Sequence, residues 1–104
     1  MAARRYVRDG YRVLARNWRS RSGEIDLIAE EGGSLVFVEV RTRTGTSFGS
    51  PEESITPKKR ATMIAAAEEY LQSSGAEEVN WRIDVVALEL HSRGRVARLD
   101  IIEN

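Results

Sequence analysis

Residues 23–41 read GEIDLIAEEGGSLVFVEVR, which is two runs of alternating apolar residues separated by Gly32-Gly33. A pair of glycines between two such runs is typical of a β-hairpin with a two-residue turn. If the two glycines form the loop, the numbers of paired residues sum to 65. Asp26 is then predicted to lie directly opposite Glu39 on the neighbouring strand.

The same register places Glu24 opposite Arg41, and side chains alternate along a strand, so all four charged groups are predicted to share one face. Like charges that face each other destabilise a hairpin. Two carboxylates about 5 Å apart repel by about 3 kcal/mol at an effective dielectric of 20. A bound divalent cation would turn this repulsion into a binding site.

The composition is that of one globular domain over residues 1–104, with 41% apolar and 31% charged residues. There is no cysteine, which excludes disulfides and thiolate metal sites. No apolar run approaches 18 residues and the N-terminus is rich in arginine, so neither a membrane span nor a secretory signal is predicted. We therefore expect a cytoplasmic protein with no membrane partner.

Charge is unevenly distributed although the net charge is zero. Residues 1–23 contain seven arginines and one aspartate, whereas residues 24–39 contain five acidic residues and no basic residue. A basic segment beside an acidic cluster suits a polyanion that approaches a metal site. A solvated basic helix and strand would give the same pattern, and both interpretations remain open.

Periodicity and capping signals predict the element order α-β-β-β-α-β-β, over residues 2–9, 11–18, 24–30, 35–42, 57–75, 81–90 and 95–102. The helical crossover should place the fourth strand parallel to the third, in an α/β sandwich. One sheet face is predicted to be wholly apolar, with Ile25, Leu27, Ala29, Val36, Val38 and Val40.

Smaller signals fall around these elements. Residues 50–53 form a further helix-start signature, residues 91–94 are predicted to turn the chain, and Phe48 in a glycine-bearing loop is the aromatic residue expected to stack on a base. Asp84 lies among β-branched residues on the fourth strand, and we expect it to be partly buried with a structural partner such as an arginine.

The order of elements, with Asp and then Glu-x-Arg on the hairpin, resembles the PD-(D/E)xK nuclease core. The strings at residues 10–17, 23–28, 37–41, 56–59 and 82–86 are similar to those of the YraN family of small bacterial proteins, over nearly the whole chain. That family is related to archaeal Holliday-junction resolvases. The resemblance implies an αβββαβ(β) restriction-endonuclease-like fold and a metal-dependent endonuclease that acts on DNA, with branched or single-stranded DNA as the expected form.

The resemblance also assigns roles to residues. Asp26, Glu39 and the carbonyl of Val40 would bind Mg²⁺ or Mn²⁺, and Arg41 would complete the catalytic set by clamping a phosphate oxygen. Glu24 would take part in the outer coordination or pair with Arg41. The residues expected to contact the DNA backbone are Lys58, Lys59, Arg43 and Arg19.

Two departures from the nuclease pattern keep other functions open. Arg41 stands where the motif usually has lysine, and arginine cannot accept a proton at neutral pH. A glutamate often found on the first helix is missing, because Met1 falls inside that helix, which we expect to be shortened at its N-terminus. A nucleic-acid-binding module without catalysis and a protein-interaction domain are therefore the alternatives. A homodimer is a further expectation, since junction nucleases commonly pair.

Overall fold

The computed structural model describes residues 2–44, 56–75, 79–90 and 96–103. They form two helices and five strands: α1 (Ala2–Arg8), β1 (Arg12–Arg19), β2 (Glu24–Glu31), β3 (Ser34–Thr44), α2 (Pro57–Ser74), β4 (Trp81–Leu90) and β5 (Val96–Glu103). The predicted order is confirmed, and each of these boundaries lies within two residues of its prediction. The predictions for residues 50–53, for residues 91–94 and for Phe48 lie outside the described residues.

The five strands form one mixed sheet in the order β1-β2-β3-β4-β5. Strands β3 and β4 run parallel, as the helical crossover requires, and all other neighbours run antiparallel. The helices pack on the faces of this sheet, which confirms an α/β fold with a nuclease-like core.

The hairpin between β2 and β3 has the predicted turn. Gly32 and Gly33 have φ angles of 59° and 83°, and a type I′ turn needs a positive φ at both central positions. The ladder pairs Glu31 with Ser34 and continues to Leu27 with Val38, so the predicted register is confirmed for these five pairs. The ladder ends one step before Asp26, so the predicted pairs of Asp26 with Glu39 and of Glu24 with Arg41 do not form part of it.

Two apolar clusters fill the two sides of the sheet. The cluster beneath α2 is formed by Ile25, Ile28, Leu35, Phe37, Met63, Ala66, Ala67, Leu71 and Ile83. The cluster beneath α1 is formed by Ala2, Tyr6, Leu27, Ala29, Val36, Val38, Val86 and Leu88, with Val40 packed against it. The sheet is therefore covered on both faces, as its apolar strands predict.

The prediction that Ile25 shares a face with Leu27 and Ala29 is wrong. Ile25 packs with Ile28 beneath α2, so the alternation of side chains along β2 breaks at Asp26. Opposite this point on β1 lies Asn17, which has a φ of 50°. An irregular backbone at one position of a strand changes the direction in which the following side chains point, and here the change falls at Asp26.

Helix α1 is tied to β4 by a buried polar network. The hydroxyl of Tyr6 donates a 2.7 Å hydrogen bond to Oδ2 of Asp84, which is fully buried. Arg82 Nε donates to Oδ1 of the same carboxylate at 2.9 Å, and Arg82 Nη2 donates to the Tyr11 hydroxyl at 2.8 Å. The expected arginine partner of Asp84 is thus confirmed as Arg82.

This network predicts a loss of stability in strong alkali. Burial, with a further contribution from the hydrogen bond to Asp84, raises the pKa of Tyr6 well above its usual value. Above about pH 10 the unfolded chain therefore binds fewer protons at Tyr6 than the folded protein, and the free energy of unfolding falls as pH rises, by up to about 1.4 kcal/mol per pH unit. Urea titrations of the wild type and Tyr6→Phe between pH 8.5 and 11 should show the shallower slope in the variant. Equal slopes would contradict the assignment.

Helix α2 begins and ends at the predicted residues. The side chain of Thr56 accepts a 3.0 Å hydrogen bond from the Lys59 N–H, Pro57 occupies the first turn, and Gly75 adopts a left-handed φ of 74° at the C-terminal end. These are standard N-terminal and C-terminal caps. The Thr56 cap fixes the backbone of Lys59, whose side chain points into the candidate site.

The turn before β2 is packed against α2. A Cβ atom at Gly23 would lie 2.8 Å from Cγ2 of Thr62, so only glycine fits this approach. Ser22 N–H donates to Oε2 of Glu69 at 3.1 Å, and hydrogen bonding from Ser22 lowers the pKa of Glu69. The turn before β2 is therefore held against α2 at two points along the helix, Thr62 and Glu69.

In the part of the chain that the structure describes, no helix is both long and apolar enough to cross a membrane.

Candidate active site

The carboxylate of Asp26 lies at the point where β2 and β3 stop pairing. Its Oδ2 accepts a 2.7 Å hydrogen bond from the backbone N–H of Val40, in place of a further ladder bond from β2. A hydrogen bond from an N–H to an ionised acceptor is short and strong. The half-buried Asp26 is thus fixed beside Val40, whose carbonyl is the third predicted metal ligand.

Glu39 lies on the α2 side of β3 and is buried, with 6% of its surface exposed. Lys59 Nζ lies 3.3 Å from its Oε1, and Arg41 Nε lies 3.6 Å from the same oxygen. The site therefore contains two cations that approach one oxygen of a buried carboxylate. Neither of these two ion pairs uses Oε2.

The structure brings Lys59 into the same group as Glu39 and Arg41, although the sequence predicted only a DNA contact for it. The α2 cap and the packing of α2 on the sheet place this lysine over β3, a contact across 20 residues of sequence. A lysine supplied by α2 therefore lies beside Glu39, where the nuclease motif would supply one from β3. Lys59 lies outside the hairpin, and no local pattern in the sequence indicates its contact with Glu39.

The other predicted residues are more scattered. Glu24 forms an ion pair with Arg19 at 3.6 Å, its register partner on β1, and both side chains are well exposed. Lys58 is exposed in the first turn of α2. Arg43 lies on β3 opposite Glu89 of β4.

The donor atoms at the site suit a hard cation that keeps part of its water shell. Among the described residues, no three His, Cys, Asp or Glu side chains come together as a metal-binding group. The oxygen donors that the sequence predicted as ligands are the carboxylates of Asp26 and Glu39 and the Val40 carbonyl, and Asp26 is tied to β3 by its hydrogen bond with the Val40 N–H. Mg²⁺ is commonly bound by one or two carboxylates, several waters and substrate phosphates, so these residues fit the predicted metal.

A cleft of about 330 Å³ reaches Asp26 from the α1 side of the sheet. Its polar edge is formed by Arg16, Asn17 and Asp26, and its apolar wall by Ala2, Ala3, Leu27, Val40 and Leu88. The sequence had not indicated Arg16 or Asn17 as site residues. The available signal was an asparagine in a strand otherwise suited to β structure, since asparagine is one of the few residues that tolerate a left-handed backbone.

Comparison with known proteins supports the similarity that the sequence motifs indicated. The chain is 48% identical over 103 residues to a UPF0102 protein of Roseiflexus castenholzii, covering 98% of this chain and 83% of the relative. It is 48% identical over 103 residues to one of Symbiobacterium thermophilum, covering 99% and 86%. A third, from Rhodococcus jostii, is 49% identical over 88 residues, covering 85% and 75%.

A family model also matches residues 1–88, a range that includes α1, the β2–β3 hairpin, α2 and most of β4. The model is described as uncharacterised protein family UPF0102. Both the family model and the identities over most of the chain lead to the same assignment: the protein belongs to UPF0102, the YraN family.

Proposed function

We propose that the protein is a metal-dependent endonuclease that hydrolyses phosphodiester bonds of DNA. The observation that carries this proposal is the contact of Lys59 with the buried Glu39, at 3.3 Å. At the position on β3 where the nuclease motif has lysine, this chain has Arg41. Lys59 supplies a lysine from α2. The site then has the two carboxylates and the lysine that the nuclease motif combines, together with Arg41.

In this proposal Asp26, Glu39 and the Val40 carbonyl hold Mg²⁺ or Mn²⁺. The metal ion, when bound, lowers the pKa of a water molecule and neutralises charge that builds up on the phosphate. Arg41 binds a non-bridging phosphate oxygen. Lys59 first releases its ammonium proton to solvent, and its neutral amine then accepts the proton of the attacking water, a role that lysine can take and arginine cannot. The water oxygen bonds to phosphorus, the bond from phosphorus to one ester oxygen breaks, and the leaving oxygen is protonated from solvent.

Basic residues near the site supply the expected contacts to the DNA backbone. Lys58 lies exposed next to Lys59 at the start of α2, and Arg19 lies exposed at the end of β1 nearest the Asp26 region. Phosphate contacts of this kind position a nucleic acid without reading its sequence. We therefore expect DNA affinity that falls steeply with salt and depends little on sequence.

A non-catalytic nucleic-acid-binding module is the second candidate, and one observation favours it. Glu39 already has two cationic neighbours, Lys59 and Arg41, which offset its negative charge without a metal. A site of this kind could bind a phosphate through its two cations and never hydrolyse it. The two candidates differ in one measurable property, because only the enzyme requires Asp26 and a divalent cation for a covalent change in the DNA.

A cleavage assay with a conservative variant separates these candidates. Duplex, single-stranded, flap and four-way-junction oligonucleotides are incubated with Mg²⁺, Mn²⁺ or EDTA, for the wild type and for Asp26→Asn. Asparagine keeps an oxygen that can accept the Val40 N–H, so the variant removes the charge without leaving that buried group unpaired. We expect cleavage that requires the metal and is abolished in Asp26→Asn.

Absence of cleavage on every substrate, together with DNA binding that Asp26→Asn retains, would contradict the enzyme and favour the binding module. Cleavage that persists unchanged in Asp26→Asn would point to a contaminating nuclease. Circular dichroism and thermal unfolding of the variant confirm that the fold is retained.

A further inference from the structure

The cleft that reaches Asp26 from the α1 side has a chemical character of its own. One edge is polar, with Arg16 and Asn17, and the wall facing them consists of small and aliphatic side chains that belong to α1, β2, β3 and β4. Its volume of about 330 Å³ is at the small end of the range for ligand pockets. A site with an apolar wall and a few polar groups at one edge is typical of a small-molecule or nucleotide pocket.

Asn17 is held in this cleft by an unusual backbone. Among the described residues, it is the non-glycine residue with a positive φ, 50°. It lies between the register pairs Arg16–Leu27 and Trp18–Ile25, directly across from Asp26. Asparagine tolerates this conformation better than most residues, but glycine adopts it at lower cost. The exposed amide of Asn17 forms no side-chain hydrogen bond with the residues that the structure describes.

Arg16 provides the positive charge of the cleft. It is exposed, and it has no carboxylate partner in the described part of the chain. Arg12, four residues earlier on the same strand, instead forms an ion pair with Glu30 at 2.6 Å. Arg16 is thus an arginine with its hydrogen-bonding capacity available, next to a cleft that ends at a predicted metal ligand.

We infer that this cleft binds one unpaired nucleotide next to the phosphate that is cleaved, with Arg16 on a neighbouring phosphate and Asn17 on the edge of the base. This inference rests on the proposed function and specifies its substrate as DNA with unpaired nucleotides. A strand that crosses Asp26 places its next nucleotide in the cleft. The apolar wall covers the sugar and one face of the base, and an asparagine amide can both donate to and accept from a base edge.

The preference for unpaired DNA follows from the size of the cleft. Its volume suits one nucleotide, and a base that is stacked and paired in a duplex cannot enter such a pocket unless it is taken out of the stack at a cost in free energy. Single strands, flaps and junction arms offer that nucleotide at a lower cost. The pocket would therefore favour DNA with unpaired nucleotides over duplex DNA, whereas the phosphate contacts around it would not distinguish the two.

The test compares three variants by fluorescence anisotropy, in EDTA so that the DNA stays intact. Asn17→Gly removes the amide and favours the observed backbone, so its melting temperature should equal or exceed that of the wild type. We expect its affinity for a fluorescein-labelled single strand to fall by about 5–10-fold, on the scale of a lost hydrogen bond, with its affinity for a duplex unchanged. Arg16→Gln should weaken binding about 5-fold or more and reduce the salt slope by about 1.

Arg12→Gln is the matched control, because it removes the same charge from the same strand about 13 Å away. It should change the affinity by less than about 2-fold, as exposed ion pairs contribute little. If Asn17→Gly and Arg16→Gln bind the single strand as tightly as Arg12→Gln does, the cleft is not a nucleotide site. That result would leave the proposed function standing. A wild type that binds none of the oligonucleotides, either in EDTA or with Ca²⁺ in its place, would overturn both.

Discussion

Replacement of Lys59 by methionine is expected to reduce metal-dependent DNA cleavage by about 10²–10⁴-fold, the range typical of a lost general acid or base. The side chain contacts Glu39 at 3.3 Å, and in the proposed site it is the group that can accept a proton from the attacking water. Methionine has a similar length and flexibility, so the first turn of α2 should remain intact. Single-turnover cleavage of the best substrate measures the effect without a contribution from product release.

Two further variants give this prediction its controls. Lys58→Met removes a neighbouring charge that is exposed, and it should weaken DNA binding modestly while the single-turnover rate at saturating enzyme stays nearly unchanged. Lys59→Arg keeps the charge but not the proton acceptor, and its rate should resemble that of Lys59→Met. A fully active Lys59→Arg would contradict proton transfer by Lys59 and assign it an electrostatic role.

The second large effect concerns stability. Arg82→Met should lower the free energy of unfolding by about 3–5 kcal/mol, because it removes the cationic partner of a fully buried carboxylate. The hydrogen bond from Tyr6 to Asp84 would remain, but it alone does not balance a buried charge. Urea unfolding followed by circular dichroism at pH 7 measures the loss.

The combined replacement Arg82→Met, Asp84→Leu and Tyr6→Phe provides the control. Replacing a whole buried polar group by apolar residues of similar size is often neutral or stabilising, so this variant should recover much of the lost stability. A loss of less than about 1 kcal/mol in Arg82→Met alone would show that the network contributes little to holding α1 on the sheet.

Local signals in the sequence were sufficient for most of the fold. The Gly32-Gly33 turn fixes the register of the hairpin because only a loop with positive φ at both residues lets the strands pair without a slip. Proline after Thr56 and glycine at position 75 set the ends of α2 in the same way. Each of these signals acts within a few residues, so reading it requires no knowledge of the tertiary structure.

The parts of the site that were not predicted depend on contacts between distant residues. Lys59 reaches Glu39 only because α2 packs over β3, and Ile25 changes face because the backbone is irregular at Asn17 on the neighbouring strand. Tyr6 and Asp84 are 78 residues apart. A pattern of period 2 assumes an unbroken strand, and it fails at Asp26, where the alternation of side chains along β2 breaks.

Binding of a divalent cation by Asp26 and Glu39 can be measured directly by titration with Mn²⁺. Electron paramagnetic resonance follows the titration, because the signal of the free ion is lost when it binds. The titration uses the wild type, Asp26→Asn and Glu39→Gln, each with and without a short single-stranded oligonucleotide, so that a metal ion recruited only with DNA is also detected. We expect one saturable Mn²⁺ site in the wild type that is lost or strongly weakened in both variants. Equal Mn²⁺ binding by all three proteins, both with and without the oligonucleotide, would contradict metal binding by Asp26 and Glu39.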